Sequence, residues 1–444
     1  MIRFNRSISK IAKNCMKLST TMTPISKFNK PLYLSPHQAI RNYHSSGKML
    51  ETPEPNFIQA KDKGLRSHTM AARLEDMKQY QESVTTPFEL HERTPEESMV
   101  EHTIKLGSDT QLREHFLMAG GEIRVGRLLE EMDVLAGAVA YSHAEGFHPD
   151  RKVTIVTASV DRIELLNPII PYFDIKLEGK VTYTGRSSME IKILLSQIQS
   201  TSRDGPRVLN MVAYFTMVSR APYENKSTPV HPLSLVTKED KRLFNEGEEN
   251  RKIRIQSMKN SLLVHPPNDE ERELLHNLFL THVNDQSSRF SSISSTNLQN
   301  IIIMHPDKSN IHGKVFGGHL LRLAYELAHS TVFIHCGSVP HFKSLDENHF
   351  LHPVELGSLC NVKAQIVFTK NDFCVVRCEV EVLNVSTGKN KRTNVFHFTF
   401  QSHSGFKREV IPVTYQEGIT YLEGRRTYLK GKEFALTRRQ HRKD

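Results

Sequence analysis

Two kinds of hydrophobic spacing alternate along the chain, and the alternation happens twice. Leu128, Leu129, Met132, Leu135, Ala136 and Val139 recur at three and four residues, which places them on one face of a helix. Small residues in the same stretch (Ala136, Gly137, Ala138, Ala140) let a sheet approach closely. Strand-like alternation then runs through 154–166, 175–183, 189–198 and 208–218, punctuated by turn residues such as Gly185-Arg186-Ser187. A second round follows, with helical spacing after Gly318 and alternation through 344–351, 360–368, 373–385 and 393–400. One apolar helix followed by four antiparallel strands predicts an α+β unit with the sheet wrapped over the helix.

The two rounds align residue by residue, as an internal repeat should. At an offset of 192, Gly121 meets Gly313, Gly126 meets Gly318, and Leu128-Leu129 meet Leu320-Leu321. Past a loop seven residues shorter in the second copy the offset is 185, so Pro168 meets Pro353 and Tyr183-Thr184 meet Phe368-Thr369. Met189 and Ile193 then meet Cys374 and Cys378, which reads those cysteines as core residues. With no CxxC pair and no histidine beside them, no metal site is expected, and no cofactor. The alignment also exposes an asymmetry. Asp133 stands where the second copy has Tyr325, and Asn310 stands where the first has Met118. Each copy holds one polar group of a complementary pair.

Charge changes the picture at the ends. The chain has 444 residues, with 59 Lys and Arg against 49 Asp and Glu. Residues 1–50 hold nine of those bases and no acid, so the rest balances at 50 against 49 and a nucleic-acid partner is not expected. An acid-free, Arg- and Ser-rich leader reads as a mitochondrial transit peptide directing the chain to the matrix, cut near His44 after Arg41. No run approaches the roughly 18 apolar residues of a membrane span. The expected organisation is 1–50 transit peptide, 51–94 extension, 95–222 first unit, 223–298 helical linker, 299–410 second unit, and 411–444 a basic tail. The stretch Arg425–Asp444, with eight bases and two acids, reads as solvated.

Several segments carry a family resemblance. His305-Pro306, Asn310-Ile-His312-Gly313-Lys-Val-Phe316-Gly317-Gly318, Phe350-Leu-His-Pro353-Val-Glu-Leu-Gly357, Leu129-Glu-Glu-Met-Asp133 and Thr184-Gly185-Arg186-Ser187-Ser188 together resemble hotdog-fold acyl-CoA thioesterases, in the tandem arrangement of the mitochondrial members. The resemblance spans roughly residues 95–410. It implies a double hotdog, acyl-CoA as substrate, and sites at the seams between units, built from both partners. One seam would then receive Asp133 and Asn310, and the other Tyr325 and Met118. That is one active and one degenerate site. Asp133 is expected as general base or nucleophile, Asn310 as the group orienting water or carbonyl, and Gly317 and Gly318 as oxyanion donors at a helix start. Arg186 and Ser187 are candidates for the nucleotide end of coenzyme A. Relatives of this kind imply a homo-oligomer, a trimer of double units. Two other readings are a hotdog hydratase/dehydratase, which uses a neighbouring Asp and His, and a non-catalytic coenzyme-A-binding scaffold.

Overall fold

The computed structural model describes residues 89–145, 153–198, 206–221, 226–262, 264–284, 289–310, 313–385, 387–406 and 408–441. The proposed transit segment and His312 lie outside them. The first copy runs β1 (Val100–Ile104), α1 (Thr110–His115), α2 (Val125–Glu145), β2 (Thr154–Leu165), β3 (Ile175–Thr184), β4 (Ser188–Ile198) and β5 (Arg207–Arg220). Next come α3 (Lys238–Lys259), α4 (Asp269–Asn284) and β6 (Phe290–Ser292). The second copy runs β7 (Leu298–Ile303), α5 (Gly317–Cys336), β8 (His341–His349), β9 (Leu359–Lys370), β10 (Phe373–Leu383) and β11 (Asn390–Gln401), followed by β12 (Glu409–Ile411) and α6 (Tyr415–His441).

The eight strands that the alternation predicts all form. The structure adds β1 and β7, one before each central helix, and the short β6 and β12, which pair with each other in a separate two-stranded sheet. β1 and β7 are edge strands, where one neighbour is missing and alternation is weak. The sheet order is β1-β3-β4-β5-β2-β8-β11-β10-β9-β7, which reads the same from both ends once each strand is replaced by its counterpart. At its centre β2 pairs antiparallel with β8. Ser159 faces His349 and Glu164 faces Ser344. An offset of 185 exchanges these two pairs, so a pseudo-twofold axis passes between β2 and β8. The central helices α2 and α5 pack against each other beneath this sheet. Leu128, Leu129, Met132, Leu135, Phe215, Phe396, Phe398 and Phe400 are fully buried between the layers, each worth about 1.5–3 kcal/mol of burial.

The stretch expected as a basic tail is instead the helix α6, docked on the back of the sheet against β9 and β10. Its counterpart α3, expected as part of the linker, docks likewise on β3. The two helices extend the repeat at an offset of 177. Both begin in a capping box: Thr237 with Asp240, and Thr414 with Glu417. One turn later Phe244 packs tilted against Tyr183 at 4.9 Å and Tyr421 edge-on against Phe368 at 5.2 Å. Gly247 and Gly424 follow at equivalent positions. A methyl group on Gly247 would meet Tyr183 Cβ at 2.5 Å, and one on Gly424 would meet Val367 Cγ2 at 2.7 Å and Phe368 Cβ at 3.0 Å. Counting bases hid this, because the apolar face of α6 (Tyr421, Leu422) is narrow and its Arg426 is paired with Glu271.

Candidate active site

The segments entering the two central helices are alike. In the first copy the Met118 N–H donates to Glu122 O, and Gly121 N–H to Met118 O. In the second, Asn310 N–H donates to Lys314 O, and Gly313 N–H to Asn310 O. Gly121 and Gly313 both have φ in the left-handed region, at 87° and 72°, where a side chain is disfavoured. The side chain makes the difference. Asn310 Oδ1 accepts from the Lys314 N–H at 3.1 Å, a bond Met118 has no atom to make.

This turn delivers the chain to α5, whose N-cap, Phe316, has no side-chain cap. Helix starts leave backbone N–H groups without intrahelical partners, and here no neighbouring hydroxyl or carboxyl of the same turn takes them. Across the seam lies Asp133 of α2. Its Oδ2 is so close to the start of α5 that a methyl on Gly317 would meet it at 3.2 Å and one on Gly318 at 3.1 Å. At Gly318 an added methyl would also meet Phe316 Cε1 at 2.7 Å, so only glycine fits there without a shift, and at Gly317 the fit is tight. Asp133 is 1% exposed. Thr157 of β2 donates to its Oδ1 at 3.0 Å. Oδ2 has no hydrogen bond of good geometry, yet the Gly318 N–H lies near enough to favour its charge.

Burial pushes the Asp133 carboxyl up to about 7, against the opposing pull of Thr157 and the Gly318 N–H. The neighbouring Glu130 adds to the rise. Glu130 is itself held down at about 2: burial works against it, but His319, Arg322 and Arg127 outweigh burial. Glu130 and Arg322 occupy equivalent positions in the two helices and pair across the pseudo-axis at 3.0 Å.

At the other seam the same geometry is filled with carbon. Tyr325 meets Gly126 as Asp133 meets Gly318, with a methyl on Gly126 falling 3.2 Å from Tyr325 Cδ1. The position of Gly317 is occupied by Val125. Phe342, aligned with Thr157, packs edge-on against Tyr325 at 5.5 Å, and Phe398 and Phe400 enclose the ring at 5.7 and 5.8 Å. Thr157 was the residue that sequence reasoning passed over, and its alignment with Phe342 was the signal available.

Asp133, Gly317 and Gly318 therefore come together. Asn310 shares no hydrogen bond with Asp133, whose Oδ1 accepts from Thr157 and whose Oδ2 lies near the Gly318 N–H. Arg186 and Ser187 form the β3–β4 turn, with Arg186 exposed and the Ser187 carbonyl accepting from Ser219 N–H. Thr157 lies in one cross-strand row with Met217, Met189 and Thr184, so that turn is at the same end of the sheet, about 14 Å from Thr157. A small open cleft lies elsewhere, between Asp161 and Arg162 of the sheet and Arg254, Lys430 and Phe434 of α3 and α6. Its arginines are already engaged, Arg254 with Asp161 at 2.6 Å and Arg162 with Asp346 at 2.9 Å.

Two helices side by side under one continuous antiparallel sheet, with a buried carboxyl at a helix start on their seam, define a tandem hotdog protein. The thioesterase superfamily matches it twice, at residues 125–202 and 312–388, once per copy. The chain is 35% identical over 347 residues to acyl-coenzyme A thioesterase 9, mitochondrial, of Mus musculus, covering 76% of this chain and 78% of that one. It is 30% identical over 418 residues to acyl-coenzyme A thioesterase 4, mitochondrial, of Humulus lupulus, covering 88% and 78%. Among solved structures it is similar to an apo-hexameric acyl-CoA thioesterase, 25% identical with a TM-score of 0.33, over 38% of this chain and 99% of that one. The chain belongs to the acyl-CoA thioesterase family of the thioesterase superfamily.

Proposed function

We propose that this protein hydrolyses acyl-CoA thioesters to free acid and coenzyme A at one composite site, on the seam where Asp133 of the first copy meets the Gly317-Gly318 helix start of the second. The observation that carries the reading is the buried Asp133 carboxyl, poised near neutrality against uncapped backbone N–H groups. The thioester oxygen takes the place facing those N–H groups, which hold the charge that grows on it. As base, ionised Asp133 draws a proton from the attacking water; the tetrahedral intermediate collapses, the C–S bond breaks, the free acid leaves and the coenzyme A thiolate takes up that proton. As nucleophile, Asp133 bonds to the carbonyl carbon and expels the thiolate, and water then cleaves the mixed anhydride, releasing the acid, restoring the carboxylate and supplying the thiolate's proton. Thr157 keeps the carboxylate oriented in either case. Asn310 supports this arrangement by shaping the turn into α5. Arg186 and Ser187, at the same end of the sheet, suit the nucleotide end of coenzyme A.

The mitochondrial names of the relatives and the acid-free leader support a mitochondrial protein, with the matrix as its compartment. Exposed apolar side chains on edge strand β7 (Ile301, Ile303) and on α5 (Phe333, Ile334) support a homo-oligomer, which we read as a trimer. The test of the site is a pair of substitutions read by thiol release from an acyl-CoA panel. Asp133→Asn is expected to lower turnover about 10²–10⁴-fold, while Tyr325→Phe changes it only a few-fold. The opposite outcome would place the working seam on the other side of the pseudo-axis. Enoyl-CoA hydration without thioester cleavage would favour the hydratase reading.

A further inference from the structure

The face of β8 and β11 that looks onto α5 is apolar, built of phenylalanines and Leu345, apart from two asparagines. On β11, Phe398 and Phe400 touch Tyr325 of α5, and Phe396 meets Phe350 at 6.1 Å. Phe350 in turn lies against Gly317, whose added methyl would meet its ring at 3.2 Å. Strand side chains alternate, so Asn394, two residues before Phe396, and Asn348, two before Phe350, share this face. Pairing agrees: Asn394 is bridged to Phe350, and Asn348 is opposite the buried Val160.

Both asparagines are 0% exposed, and in both the amide nitrogen and oxygen have no hydrogen-bond partner among the described residues. Buried carboxamides are ordinarily satisfied, and one left bare is costly, so a pair of them together asks for an occupant. The repeat sharpens the point. At the degenerate seam the aligned residues are Ile163 for Asn348, Met211 for Asn394 and Leu165 for Phe350, and Leu165 pairs with Met211 as Phe350 does with Asn394. The fold thus accepts apolar residues at these places. Amides occur only on the copy that supplies the helix start facing Asp133.

We propose that Asn348 and Asn394 form a polar receptor for a hydrogen-bonding group on the acyl chain, a hydroxyl or carbonyl within the first few carbons of the thioester. The location near the thioester follows from Phe350, a single side chain standing between the amides and Gly317. A site built to hydrogen-bond a substrate oxygen discriminates strongly against the analogue lacking it, because its own polar groups are then left bare. The inference rests on the thioesterase reading of this seam and narrows its substrate class to oxygenated acyl groups.

The test compares butanoyl-CoA with 3-hydroxybutanoyl-CoA on the full chain, by thiol release. Wild type should favour the hydroxylated substrate at least tenfold in kcat/KM. Asn348→Ile and Asn394→Met, the residues found at the other seam, should abolish that preference, mainly through KM, and raise kcat/KM for butanoyl-CoA. Equal efficiency on the two substrates in wild type would overturn the receptor and leave the thioesterase reading standing. Turnover of neither would overturn both. A preference that survives in the variants would also overturn it, assigning the amides to enclosed water. Where one variant fails to fold the other carries the comparison, and equal wild-type efficiency overturns the receptor without either.

Discussion

Asp133 shares its raised pKa with other carboxyls, since burial also pushes Glu131 and Glu190 up to about 7 and raises Asp346 and Glu423. Position separates it from them, because Asp133 faces the opposite copy's helix start. If ionised Asp133 is the base, kcat/KM should climb through about pH 7 and level off above it. Thr157→Val removes a bond that favours the charged form. It should move that midpoint to higher pH and lower the plateau about tenfold; an unmoved midpoint would detach Thr157 from the carboxylate. Stability runs the other way. The folded value exceeds the unfolded 3.8, so the carboxyl's contribution is fully present below that pH and is lost as pH rises through about 7. Asp133→Asn is neutral throughout. Denaturant melts should show it gaining on wild type between pH 5 and pH 8, by up to about 3 kcal/mol.

At the scale of elements, glycine decides where helices may sit. Gly318 admits Asp133, Gly126 admits Tyr325, and Gly247 and Gly424 let α3 and α6 settle onto the back of the sheet. Two substitutions within α6 separate propensity from packing. Alanine in place of helical glycine gains about 1 kcal/mol of intrinsic preference. At Gly431 an added methyl meets nothing within 4 Å, so Gly431→Ala should stabilise by about that amount. At Gly424 the same methyl collides with Val367 and with Cβ of Phe368, which its backbone cannot easily withdraw. Overpacking costs about 1–3 kcal/mol, so Gly424→Ala should be a net loss, seen as a lower melting temperature and faster amide exchange along α6.

The whole molecule is a heterodimer of hotdog units written as one chain, and that is why its seams can diverge. In a symmetric pair of identical chains any change appears at both seams. Here Asp133 with Thr157 and Tyr325 with Phe342 occupy equivalent places, one pair polar and the other aromatic. The aromatic seam holds the assembly together by burial while the polar seam tolerates an ionisable group at some cost in stability. Beyond the pair, Ile301, Ile303, Phe333 and Ile334 leave apolar surface to be covered. Light scattering at micromolar concentration should give a multiple of 50.9 kDa, three-fold for the proposed trimer, and Ile301→Lys with Ile334→Lys should lower it. A monomeric mass for the unaltered chain would refute this assembly.

The duplication, the eight main strands, both central helices and the asymmetry of Asp133 against Tyr325 were legible without coordinates. Each is a periodicity or an offset between residues of one chain, and spacing alone determines which side chains share a face. What was not legible depends on approach between elements distant in sequence. Thr157 is an unremarkable strand threonine until the sheet lays it on Asp133, 24 residues away. Asn348 and Asn394 are ordinary polar residues until both faces of their strands are seen to be covered. The basic stretch after Arg425 belongs to a docked helix because Gly424 lets α6 lie against Val367 and Phe368 of β9, far away in sequence. Composition records what a segment carries, and only packing decides what it is pressed against.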